Sequence, residues 1–169
     1  MGEATDRQYS AIRRQRTFSV AYEGFTRALE ALLGTMDNEA LSRLAGRSRA
    51  EAQAVLEGFV GPSGLALFQK LDHGALLTAF TGQATRALTY VLGNALIAIQ
   101  MTRHVPMVGL YVPLRLYVRE MAATTVLVTY DVPSATLAQF GVAAVDEVAR
   151  GLDGKMEALL EHALATAAS

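Results

Sequence analysis

Residues 110–130 read LYVPLRLYVREMAATTVLVTY, and this stretch decides the architecture. From Leu110 to Arg119 the even positions (Leu110, Val112, Leu114, Leu116, Val118) are all aliphatic, while the odd ones (Tyr111, Pro113, Arg115, Tyr117, Arg119) are mostly aromatic or cationic. A period of two sends alternate side chains to opposite faces of a strand. The even face is therefore expected to be a core face. The odd face carries residue types common at interface hot spots, so a homodimer contact through Tyr111, Arg115, Tyr117 and Arg119 is expected there. The plainer alternative is an outward face with arginine stems lying over tyrosine rings. Thr124–Tyr130 reads as a second strand, close enough to the first to form a hairpin.

Working outward, Asp131-Val132-Pro133-Ser134 ends that strand and caps a short helical segment up to Phe140. The last helix, Val142 to about Thr166, carries Val145, Val148, Leu152, Met156, Leu159 and Ala163 on one stripe. That stripe is expected to pack on the face bearing Val112, Leu114 and Leu116. Upstream, Thr85–Leu92 is a strand stopped by Gly93-Asn94, and Ala95–Met101 is a short helix. Leu65–Asp72 is a strand that follows the breaker Gly61-Pro62-Ser63-Gly64 and ends at Asp72-His73-Gly74. Strand one spans Gln15–Tyr22, where Phe18, Val20 and Tyr22 alternate with small residues. Helical spacing follows over Glu23–Met36, from an Asp37 cap to Ala45, and over Arg47–Phe59. The result is an α+β domain: an antiparallel sheet of about five strands in β-α-β4-α order, covered by a long C-terminal helix, with extra helices after strand one. Residues 1–14 read as a polar, partly frayed tail and residues 15–169 as a single domain.

Hydrophobic residues make up 51% and charged residues 18%, with a mean hydropathy of +0.25, so the chain can bury a large core. A formal charge of −1 argues against a protein that neutralises phosphates, and no nucleic-acid partner is expected. The absence of cysteine excludes thiolate metal sites and a cysteine nucleophile. The longest uncharged run, Ala87–Thr102, falls short of a membrane span and contains Gly93-Asn94. No span is expected, and the polar N-terminus leaves the cytoplasm as the expected location.

Six stretches in order carry a family likeness: Gly61-Pro-Ser-Gly, Leu71-Asp-His-Gly, Tyr90-Val-Leu-Gly-Asn, Met101-Thr-Arg-His, Tyr111-Val-Pro-Leu-Arg and Tyr130-Asp-Val-Pro-Ser. Together they resemble the family known as domain of unknown function 302, over roughly Thr17–Leu160 and most densely from Gly61 to Gly141. The resemblance implies a β-α-β4-α fold of the TATA-binding-protein-like, helix-grip kind, often dimeric, and no established activity. The chain differs from the usual pattern at Ala95, where proline is common, and at Met121-Ala122-Ala123, where an acidic, glycine-containing turn is common.

One interval stands out chemically. Between Asp72 and Glu120 there is no carboxylate, yet Arg86, Arg103, Arg115, His73 and His104 all fall there. Arginine offers a planar donor fork for carboxylate or phosphate, although solvated arginines paired with acids elsewhere would look the same in sequence. His73 and His104 are the candidate acid–base residues. Asp72, Arg103, Arg115, Tyr130 and Asp131 are the candidate ligand contacts, and His73, Arg103, His104 and Asp131 are expected to converge at one end of the sheet. The expected function is binding of a hydrophobic small molecule with an acidic or enolic group. The alternatives are a cofactor-independent isomerase, cyclase or lyase using His/Arg chemistry, and a structural or assembly protein. Neither a cofactor nor a metal is expected, since two histidines without a clustered carboxylate make a weak ligand set.

Overall fold

The computed structural model describes residues 2–168. The chain runs β1 (Arg13–Phe18), α1 (Tyr22–Ala31), β2 (Gly34–Thr35), α2 (Asn38–Ser42), α3 (Arg49–Glu57), β3 (Ala66–Asp72), α4 (His73–Thr81), β4 (Ala87–Gly93), α5 (Ala95–Thr102), β5 (Leu114–Ala122), β6 (Thr125–Asp131), α6 (Pro133–Leu137) and α7 (Ala143–Ala167). Single 3-10 turns cover Pro106–Leu110 and Ala138–Phe140. The expected α+β class, the β5–β6 hairpin and the long last helix are all present. The sheet has six strands rather than five, in the order β1-β6-β5-β4-β3-β2. The extra one is the two-residue β2, which pairs parallel with Ala66 and Leu67; all other neighbours are antiparallel.

Side-chain parity assigns the two faces. Tyr90, Leu116, Val118, Val126, Val128 and Tyr130 are buried under α1 and the second half of α7, where Phe25, Leu29, Met156, Leu159 and Leu160 complete the main core. The opposite face, with Leu71, Thr89, Arg115, Tyr117, Arg119 and Thr129, stays half-buried or exposed. Alternation reaches less far than the sequence pattern suggests. β5 begins at Leu114, and Leu110 is 77% exposed at the end of a 3-10 turn. The cause is proline: Pro106 starts the turn, and Pro113 has no N–H to give to a ladder. Strand one likewise ends at Phe18 rather than Tyr22, because Ala21 N-caps α1. Val20 and Tyr22 remain buried beyond the strand.

The stripe on α7 serves two cores. Met156 and Leu159 meet the sheet with Leu116. Val145, Ala149 and Leu152 pack with Met101, Val108 and Leu137, against which Val112 also lies. The expectation of one surface for the whole stripe is corrected: α7 overhangs the sheet, and its first half packs on α5, α6 and the two 3-10 turns.

Helix α4 was not expected from the sequence. It buries only Gly74, so its apolar residues follow no helical period; Asp72 caps its start and Gly82, at φ 70°, ends it. The Gly61-Pro-Ser-Gly stretch, in turn, is more than a breaker. Ser63 donates from both N (3.0 Å) and Oγ (2.8 Å) to the Leu32 carbonyl, and Gly34 N and Gly61 N share the Leu65 carbonyl at 3.0 Å each. The chain leaving α1 is thereby pinned against the turn, and α1 stops at Ala31 instead of running on to Met36.

Candidate functional site

A cavity of about 290 Å³ lies beside the second core. Its walls come from α2 and α3 with the residues after α2 (Leu41, Leu44, Leu56), from β3 (Phe68), from α5 (Ile97, Ala98, Met101), from the entry to β5 (Val112, Pro113, Leu114) and from α7 (Leu152). Asn94 and Thr102 are the only polar side chains on that wall among the described residues. Asn94 is already engaged: its Oδ1 accepts from Leu96 N (2.9 Å) and Ile97 N (3.2 Å), and its Nδ2 donates to the Gly64 carbonyl at 3.0 Å. That cap fixes the start of α5, a helix apolar enough to face the second core with Met101 and the cavity with Ile97 and Ala98.

The helices over the cavity are held by their ends. Asp37 accepts from Glu39 N and Ala40 N, as its sequence position predicts, and Ser48 and Glu51 form a reciprocal capping box. Among their residues only Leu56 is buried. α2 and α3 therefore form a thin apolar cover rather than part of a filled core.

The expected site residues divide between two other places. His73, Arg115 and Asp131 line a broad groove of about 670 Å³ on the open sheet face. Arg103 and His104 line a cleft of about 520 Å³ between α5 and α7, with Gln100, Glu147 and Lys155. The expected convergence of His73 and His104 is therefore corrected: β3 and α5 deliver them to different surfaces. Within the groove the Asp131 carboxylate is taken by Arg13, which donates through Nε at 2.8 Å and Nη2 at 3.2 Å. The hydrogen bond to Asp131, followed by its charge, raises the pKa of Arg13. Tyr130 faces the main core and is 4% exposed, so it does not share a surface with Asp131. Asp72 accepts from Ala75 N at 2.8 Å as the cap of α4. The His73 ring lies 6.5 Å from that of Tyr117.

Tyr111 precedes β5 rather than lying on it, yet it still lines the groove with Arg115. It packs edge-on against Tyr9 and Phe140, each at 5.8 Å, and its hydroxyl donates to Gln139 at 3.3 Å. Arg7 also donates to the Gln139 carbonyl, so the polar N-terminal segment is tied down at both points. Arg86 is paired with Glu23 (3.1 Å) and Glu120 (3.6 Å). The positive interval in the sequence is thus spread over three surfaces. Near α1, Tyr90 donates to Glu30 at 2.8 Å, and Lys70 reaches the same carboxylate at 3.1 Å. Burial, then the contact with Glu30, pushes the Tyr90 hydroxyl far above the usual tyrosine range.

Sequence reasoning missed the cavity because its walls come from separate segments, and each leucine or isoleucine among them reads as ordinary core.

A mixed six-stranded sheet covered on one face by helices makes the molecule an α+β protein, with an apolar pocket at the flank of the sheet. The chain belongs to the family Domain of unknown function DUF302, whose model matches residues 41–163. It is similar in fold to the crystal structure of an uncharacterized conserved protein DUF302 from Bacillus stearothermophilus, at a TM-score of 0.62 and 15% identity, over 89% of this chain and 97% of that one. No curated protein matches the sequence.

Proposed function

We propose that this protein binds a hydrophobic small molecule in the cavity walled by α5 and covered by α2 and α3. The observation that carries the reading is the wall itself: about 290 Å³ lined almost wholly by aliphatic and aromatic side chains, near the lower end of the roughly 300–1,000 Å³ typical of ligand sites. The pocket is half open to solvent, so its apolar wall gains by being covered with a hydrocarbon ligand rather than water. An acidic or enolic end on the ligand has to lie outside this wall, because an unpaired charge inside it would be strongly penalised. Binding is preferred to acid–base catalysis because His73 and His104 border different clefts, neither of them this cavity. Ala98→Phe fills the space from α5. It is expected to abolish uptake of a neutral fluorescent probe such as N-phenyl-1-naphthylamine while the protein stays folded by circular dichroism. Unchanged probe binding sinks the reading.

A second copy of the chain is the proposed partner of the open sheet face. Arg115, Tyr117 and Arg119 remain on it, and Leu71, Leu76, Leu77 and Phe80 stand exposed on adjoining β3 and α4, Phe80 at 90%. Exposed apolar surface of this kind marks association sites. Sedimentation equilibrium is expected to give a dimer that Phe80→Glu converts to monomer; a parent that is monomeric at tens of micromolar excludes this contact.

A further inference from the structure

Arg115 makes no hydrogen bond or salt bridge among the described residues, whereas Arg13, Arg14, Arg16 and Arg86 each meet a carboxylate. The register of the ladders fixes its neighbours. Arg115 is paired with Val91 and Val91 with Gln69, so Arg115 and Gln69 flank Val91 on one row of the open sheet face, and all three line the groove there. Two strand spacings put their backbones about 10 Å apart, a gap that two long side chains and one carboxylate can span. The next row on the same face is Leu71, Thr89 and Tyr117. Neither the Gln69 amide nor the Thr89 hydroxyl has a hydrogen-bond partner among the described residues. Asp131, the one acid lining the groove among the described residues, stands on neighbouring β6 and is already held by Arg13 at 2.8 and 3.2 Å.

We infer that these two rows form a second ligand site, for an aromatic carboxylic acid, with the carboxylate over Val91 between Arg115 and Gln69 and the ring over Thr89 between Leu71 and Tyr117. The guanidinium fork donates to both carboxylate oxygens, and the Gln69 amide supplies a further N–H. Leu71 and Tyr117 offer the ring an apolar and an aromatic flank. One negative charge suits the site better than two, because one free guanidinium serves it and the Asp131 carboxylate lies close by. The inference is independent of the cavity reading, since none of these six residues lines that cavity.

The test is an amide chemical-shift titration of the full chain with 2-naphthoate, with its neutral isostere 2-naphthamide and with inorganic phosphate. All arms carry Phe80→Glu, at a concentration where sedimentation shows a monomer, so that no second copy covers the face. The acid is expected to move the amides of Gln69, Val91 and Arg115 and to bind more tightly than the amide or phosphate. Arg115→Gln is expected to weaken 2-naphthoate about tenfold and to leave 2-naphthamide within about twofold. Arg119→Gln removes the same charge from the same face about 13 Å along β5, beyond the screening length, and is expected to change the acid less than about twofold. Equal affinity for acid and amide, tighter binding of phosphate, or equal losses at Arg115 and Arg119 each overturn the inference. Shifts confined to Ile97 and Ala98 also overturn it, while leaving the cavity reading in place.

Discussion

Gly34→Ala is expected to lower stability by about 3 kcal/mol or more, at the upper end of what overpacking costs. A Cβ at Gly34 would meet the Phe59 carbonyl oxygen and come within 2.6 Å of Gly61 N and 2.7 Å of Val60 C, while one at Gly61 would meet Gly34 N and come within 2.7 Å of the Leu32 oxygen. Every one of these neighbours is backbone, so no side-chain rotation relieves the clash. The two segments also share the Leu65 carbonyl and the Ser63–Leu32 bonds, and separating them would strip those groups of partners. For a chain of this length the loss corresponds to roughly 6–12 °C in Tm. Gly61→Ala is expected to behave alike, and the double variant to cost less than the sum, because both break one crossing. Urea denaturation of the three variants checks it; losses under about 0.5 kcal/mol, the range of surface changes, would mean that the crossing is loose.

Leu159→Ala is expected to cost about 2–5 kcal/mol. Leu159 is 1% exposed in the main core with Leu116, Met156 and Leu160, so its removal leaves a hole with no existing space to merge into. Leu152 is buried too, yet it already borders the cavity, and its outer atoms have fewer contacts to lose. Leu152→Ala is therefore expected to fall near the lower end, about 2 kcal/mol, and to admit a bulkier probe. Equal costs at the two positions, measured by chemical denaturation, would mean that the pocket beside Leu152 closes up in solution.

Parity and caps were the legible parts of this chain. Leu116 and Val118 are core because the hairpin alternates, and Asp37 caps α2 because its carboxylate reaches two free amides. Alternation failed where proline interrupts it, between Leu110 and Pro113, and where Ala21 starts a helix inside the pattern Phe18, Val20, Tyr22. α4 was hidden because a helix that buries one glycine leaves no apolar period to read, although Asp72 and Gly82 mark its ends. The same parity argument could have separated Tyr130 from Asp131, since adjacent strand residues face opposite ways. The distance between His73 and His104 was out of reach, because it depends on which surface each loop finally borders. So was the cavity, which is defined by a gap between side chains rather than by any residue type.

The margins of the sheet have a bearing on how this protein behaves when concentrated. β1 forms one margin and carries Arg13, Arg14 and Arg16 within four residues. At the other margin β2 covers only Ala66 and Leu67, and the rest of β3 is irregular after Leu67, bears Lys70 and runs straight into α4. Charge, brevity and irregularity are the features that stop a ladder from templating another strand. Fibrillar growth by strand addition is thus obstructed from both ends, and self-recognition is left to surfaces where side chains, not backbone amides, choose the partner.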